Sequence, residues 1–168
     1  MLPPSLKPIQ SFSPVASAEA RLLILGSMPG EASLQAGQYY AHSRNAFWPL
    51  MGNILGFSPE THYEERLNHL TEHKIALWDV LESCTREGSL DSAIRREIPN
   101  DLPGFLSRHP QIRTIVFNGQ KAAKSCCKHF PKLNSTYQCF SLPSTSPANA
   151  SIPYEQKCRA WKERLLNL

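Results

Sequence analysis

Tyr39-Tyr40-Ala41-His42-Ser43-Arg44-Asn45-Ala46-Phe47-Trp48 packs aromatic rings, a histidine, an arginine and an amide into ten consecutive residues. Those side chains suit a nucleic-acid base and its backbone. Aromatic faces stack a base, an amide hydrogen-bonds a base edge or a water, and a guanidinium holds a phosphate. Each also has a plain structural use, since Phe47 and Trp48 open an apolar helical pattern and serve equally well as core, and Arg44 suits a surface ion pair. Two further segments frame this one. Gly26-Ser27-Met28-Pro29-Gly30 directly follows an apolar run, and its glycines allow a tight turn with close ligand approach to main-chain N–H groups. It matches neither a G-x-x-x-x-G-K-[ST] phosphate loop nor a G-x-G-x-x-G dinucleotide fingerprint. Leu142-Pro143-Ser144-Thr145-Ser146-Pro147-Ala148-Asn149 is rich in hydroxyls and braced by prolines, which suits either phosphate contact or a stiff linker.

The elements that would hold these segments alternate in type. Apolar runs at 21–25, 74–81, 113–119 (ending in a glycine turn) and 136–142 read as strands. Helical spacing covers 45–55, 102–109, 120–129 and 153–166, and Ser58-Pro59-Glu60 reads as a capped helix start. Alternating strands and helices predict a parallel sheet covered on both faces, with ligands collecting at the carboxyl ends of the strands. Loops 26–45, 79–91, 118–121 and 142–150 all leave those ends and should line one site. Asp79 either faces that site or caps the loop over 82–91, whereas Glu87 and Asp91 read as loop and cap residues. The division expected is a Pro/Ser-rich arm over residues 1–20 and a single domain over 21–168.

Composition narrows the class. The 168 residues are 41% hydrophobic and 19% charged, a globular balance, and the net charge of +4 permits an acidic partner without requiring one. No apolar run nears the roughly 20 residues of a membrane span, and the proline-broken N-terminus does not read as a signal peptide, so a cytoplasmic protein with no membrane partner is expected. Five scattered cysteines without a C-x-x-C pair predict reduced thiols. Six histidines include one pair four apart, His69 and His73, but no H-E-x-x-H motif, so no metal is expected, and nothing calls for a cofactor.

In combination, G-S-M-P-G, A-H-S-R-N-A-F-W, F-N-G-Q-K-A (117–122) and L-P-S-T-S-P-A-N resemble the uracil-DNA glycosylase superfamily, and within it the hypoxanthine-DNA glycosylase branch. The resemblance runs over residues 21–165. It implies a three-layer α/β/α sandwich with a central four-stranded parallel sheet. It also implies a monomeric, monofunctional enzyme of base excision repair that flips a deaminated base out of double-stranded DNA, hydrolyses its N-glycosidic bond and leaves an abasic site. Asn45 is then the candidate catalytic residue, holding water or base. Gly26, Ser27, Met28, Pro29, Tyr40, His42, Phe47, Asp79 and Asn118 would form the base pocket. Arg44, Lys121, Pro143, Ser144, Thr145, Ser146 and Pro147 would meet the DNA. One departure matters. Where the mismatch-uracil branch carries a water-orienting asparagine in G-[IL]-N-P-G, this chain has Met28, which favours hypoxanthine over uracil or mismatched thymine. It also leaves open a DNA-binding member of the fold with weak catalysis.

Overall fold

The structure, a computed structural model, describes residues 6–166; the first five residues of the expected arm and the last two of the chain lie outside the described residues. In chain order the strands and helices are β1 (Ile9–Gln10), β2 (Leu22–Gly26), α1 (Glu31–Ala36), α2 (Phe47–Leu55), α3 (Tyr63–Glu72), β3 (Ile75–Asp79) and β4 (Leu81–Thr85). There follow β5 (Arg95–Pro99), α4 (Leu102–Arg108), β6 (Thr114–Asn118), α5 (Gln120–His129), α6 (Leu133–Thr136), β7 (Gln138–Leu142) and α7 (Tyr154–Leu166).

The main sheet is four-stranded and wholly parallel, in the order β3-β2-β6-β7. Every residue of β2 is buried, as expected of a central strand with helices on both faces. The period-2 alternation of a strand divides it between two cores. Leu22 and Ile24 join Phe47, Leu50 and Met51 of α2, Leu70 of α3, and Trp161 and Leu165 of α7. Leu23 and Leu25 join Leu102, Phe105 and Leu106 of α4 and Ala122 and Cys126 of α5. The result is the expected three-layer sandwich. Register levels the strand ends: Gly26 lies opposite Asp79, Leu25 opposite Phe117, and Asn118 opposite Leu142. No helix among the described residues is long and apolar enough to cross a membrane.

Three features differ from the sequence reading. The strand expected over 74–81 ends at Asp79, and the chain turns at Val80 into β4, because Val80 and Leu81 donate their N–H groups to the carbonyls of Gly26 and Ser27. β4 belongs to a second, antiparallel sheet in the order β1-β4-β5. β5 is Arg95-Arg96-Glu97-Ile98-Pro99, an edge strand whose charges and proline hide it from a hydrophobic pattern. The helix expected from Ser58-Pro59 begins at Tyr63 instead. Ser58 closes a separate turn, its hydroxyl accepting from Glu60 N at 3.2 Å and its carbonyl from Thr61 N at 3.1 Å. That turn folds back over Gly52, where a Cβ would strike the Phe57 carbonyl and touch Pro59.

Glu97 fastens the small sheet to α5. It receives Lys121 Nζ at 2.8 Å and lies 3.2 Å from His129 Nε2, with Lys128 at 3.9 Å. Burial alone would raise this carboxyl, but the hydrogen bond and charge of Lys121 outweigh it and bring the group down to about 2. A depressed carboxylate stabilises the fold above its ordinary value and loses that contribution as pH falls towards 2. Glu97→Gln should therefore cost about 1–2 kcal/mol at pH 7. In urea titrations the gap between variant and parent should narrow between pH 4.5 and about 2; a gap independent of pH would refute the assignment.

Candidate active site

A cavity of about 700 Å³ opens at the carboxyl end of the parallel sheet, walled by the four loops that leave those strand ends. Its lining includes Gly26, Ser27, Met28, Pro29, Tyr40, His42, Asn45, Asp79, Asn118 and Lys121, together with the run from Pro143 to Pro147. Two expected site residues fall outside it. Phe47 is fully buried one layer back, stacked on Tyr40 with ring centroids 4.1 Å apart, so it supports a cavity side chain rather than meeting a base. Arg44 is exposed beyond the rim.

The first loop is a wall pinned from behind. Ser27 Oγ donates to Asp91 Oδ1 at 2.6 Å, and the Pro29 carbonyl accepts from Arg86 Nη2 at 2.6 Å. Arg86 Nε donates to the Gly88 carbonyl at 2.8 Å, so one buried guanidinium ties two loops together. Met28 packs into the core beside Leu23 and Leu25. Arg86 and Asp91 were not singled out from sequence as site residues. The signal available was an arginine beside the glycine-containing loop Glu87-Gly88-Ser89, where the backbone offers carbonyls that only a long, forked donor reaches.

The second wall is the segment from Tyr39 to Asn45. Tyr39 is anchored by its hydroxyl on the Ser13 carbonyl, and its own carbonyl accepts from Trp48 Nε1. Tyr40 sits at φ +55, a left-handed backbone rarely taken by a tyrosine, which swings its ring onto Phe47 and its hydroxyl towards the floor. His42 Nδ1 accepts from Arg44 N at 3.0 Å. Asn45 Oδ1 accepts from Phe47 N at 2.9 Å, which fixes the orientation of the amide at the start of α2. The Asn45 NH₂ has no protein partner among the described residues.

The third wall is the loop after β7. Asn118 and Thr145 are joined twice: Thr145 N donates to Asn118 Oδ1 at 2.9 Å, and Asn118 Nδ2 donates to Thr145 Oγ1 at 3.0 Å. The Thr145 carbonyl accepts from Ala46 N at 2.9 Å. Thr145 is 1% exposed, so its expected DNA contact is replaced by a buried structural role, and Asn118 shapes the pocket with its amide already engaged. Ser144 Oγ accepts from Ser146 N, and Ser146 Oγ accepts from Ala148 N, each at 3.2 Å. Both hydroxyls thus keep their own protons free to donate. Trp161 Nε1 holds the Pro143 carbonyl at 2.9 Å. Gly119, at φ +93, lets the loop close in, since a Cβ there would lie 3.0 Å from that of Ser144. Lys121 borders the cavity with its ammonium on Glu97, so a phosphate reaching it would share the ammonium with that carboxylate.

Asp79 forms the floor. It is 3% exposed and caps no loop; Oδ2 has no hydrogen-bond partner, and neither does Tyr40 Oη. Both crowd Gly26, where a Cβ would fall 2.5 Å from Asp79 Oδ1 and 3.0 Å from Tyr40 Oη. Burial, then repulsion from Asp91, pushes the Asp79 carboxyl up to about 7, with Arg86 pulling the other way.

The comparisons with known proteins agree with this geometry. Residues 13–167 match the family model described as the uracil DNA glycosylase superfamily. Proteins named hypoxanthine DNA glycosylase from Methanosarcina barkeri and Methanosarcina acetivorans are 37% and 39% identical over 142 residues, which is 83% of this chain and 87% of each relative. A solution NMR structure from Methanosarcina acetivorans, provisionally titled a uracil DNA glycosylase, superposes with a TM-score of 0.81 at 35% identity. It covers 95% of this chain and 97% of that one. The chain belongs to the uracil DNA glycosylase superfamily.

Proposed function

We propose that this protein is a monofunctional DNA glycosylase of base excision repair that hydrolyses the N-glycosidic bond of a deaminated base, hypoxanthine before others, and leaves an abasic site. The observation that carries the reading is the cavity at the strand ends, large enough for one extruded base and lined by groups that can grip it without a strong nucleophile. The two relatives named hypoxanthine DNA glycosylase support the choice of base.

Bond cleavage develops positive charge on the deoxyribose and negative charge on the departing base. The catalytic demand is therefore to hold a water and stabilise charge. Asn45 suits both needs. Its Oδ1 has a second lone pair for a water, and its NH₂ is an uncommitted donor at the amino end of α2, where the helix dipole favours negative charge. Met28 can do neither, being packed into the core. On the DNA side, the free hydroxyl protons of Ser144 and Ser146 and the exposed guanidinium of Arg44 meet phosphates. In this reading the enzyme acts as a monomer on double-stranded DNA. Uracil is the second reading, favoured by the provisional title of the structural neighbour.

Duplexes carrying one deoxyinosine, one deoxyuridine or one G·T mismatch, treated with enzyme and then alkali, decide among these. Strand breaks at inosine are expected, and breaks at uracil alone would overturn the hypoxanthine reading. Asn45→Ala should lower single-turnover cleavage by about 100-fold or more with little change in DNA affinity; an unchanged rate would remove Asn45 from the mechanism. Thr145→Val leaves Asn118 Nδ2 buried without an acceptor and should cost about 1–3 kcal/mol in urea unfolding, largely restored by Thr145→Ser. Equal stability of the Val variant would show that the double hydrogen bond does not hold the loop.

A further inference from the structure

Resting on the hypoxanthine reading, we propose that Asp79 is the general acid for a purine leaving group, passing its carboxyl proton to the imidazole nitrogen N7 of the extruded base as the glycosidic bond breaks. The case begins with an energetic anomaly. A buried carboxyl oxygen without a partner is costly and is normally satisfied by a cation, a hydroxyl or a backbone N–H. Asp79 has none of these among the described residues. It instead borders the cavity, at the last position of β3 and level with the glycine that makes room for it. A ligand acceptor would complete it.

The groups facing it from each neighbouring element favour the neutral acid. Among the described residues Arg86 is the one cation acting on it, and Arg86 donates its Nε and Nη2 to the Gly88 and Pro29 carbonyls and makes no hydrogen bond to the Asp79 carboxyl. Asp91, from the turn after β4, repels a carboxylate. Tyr39 and Tyr40 present phenols that burial pushes well above their ordinary range, so they stay protonated and uncharged beside it. With its carboxyl held near 7, Asp79 carries a proton in a large share of molecules at neutral pH.

The step balances without a further reagent. The electron pair of the C1′–N9 bond goes to N9 while the Asp79 proton bonds to N7, so hypoxanthine leaves neutral. The water at Asn45 adds to C1′ and releases one proton to solvent, and solvent returns one to the Asp79 carboxylate. Net consumption is one water. Uracil has no imidazole nitrogen, so the acid would help a purine and give a pyrimidine no equivalent assistance. Asp79 thereby becomes a determinant of base selectivity as well as rate.

Single-turnover cleavage of duplexes holding deoxyinosine, 7-deaza-deoxyinosine or deoxyuridine tests this, with the full chain and its Asp79→Asn variant. The parent rate on inosine should fall as pH rises above about 7, and the variant should lack that limb. The variant should lose about 100-fold on inosine, and its inosine-to-uracil ratio should fall at least about tenfold. The 7-deaza substrate should be slow for the parent and no slower for the variant. Three results would each overturn the role: an inosine rate in the variant within about twofold of the parent, an unchanged selectivity ratio, or rapid parental cleavage of 7-deaza-deoxyinosine. The last needs no variant, so a folding defect cannot mask it. A parent enzyme that cleaves uracil and never inosine would sink the hypoxanthine reading and this inference together; inosine cleavage that ignores Asp79 would sink this inference alone.

Discussion

Thr145 has all three of its polar groups committed, and three otherwise separate segments meet on it. Its N–H and hydroxyl embrace the Asn118 amide at the end of β6, and its carbonyl receives Ala46 at the threshold of α2. With only 1% of the residue exposed, water offers no substitute for these bonds. The contact therefore sets the spacing between the Asn45 wall and the loop proposed to meet DNA. Trp161 reinforces it from α7 by holding Pro143. Long polar loops are ordinarily mobile; here they are tied to one another by buried hydrogen bonds.

The opposite side of the cavity follows another logic. Its floor keeps two buried polar atoms unsatisfied, on Asp79 and Tyr40, and holds Tyr40 in a backbone conformation that costs free energy. The surrounding structure sustains this through the stacked Phe47, the Tyr39 anchors and the Arg86 clasp. Rigid walls and an incompletely satisfied floor together favour the arrival of a polar, planar guest.

Much of this was legible in the sequence. The four parallel strands announce themselves because buried central strands such as Leu22–Gly26 read as continuous apolar runs. The alternation of these strands with helices leads directly to the convergence of four loops. The small antiparallel sheet escaped because Arg95–Pro99 is an exposed edge whose composition mimics a loop. Ser58-Pro59 misled for a related reason: a turn with the same hydroxyl-to-N–H bond uses the same residues as a helix cap. At the site, residue types identified the walls, but the engagement of particular atoms did not follow from type. Thr145 and Lys121 look available as letters and are occupied in space, whereas Asp79 looks like a cap and is unoccupied.

The level pairing of Gly26 with Asp79 across β2 and β3 carries a consequence for how such an enzyme can diverge. The carboxyl occupies the volume where a side chain at position 26 would begin. Neither position is free to drift alone: a larger residue at 26 evicts the acid, and a bulkier residue at 79 closes the space above the glycine. The route from one base preference to another then runs through paired substitutions, with a poorly folded or idle intermediate between them. Such a site resists gradual retuning and changes its substrate, when it does, in a jump.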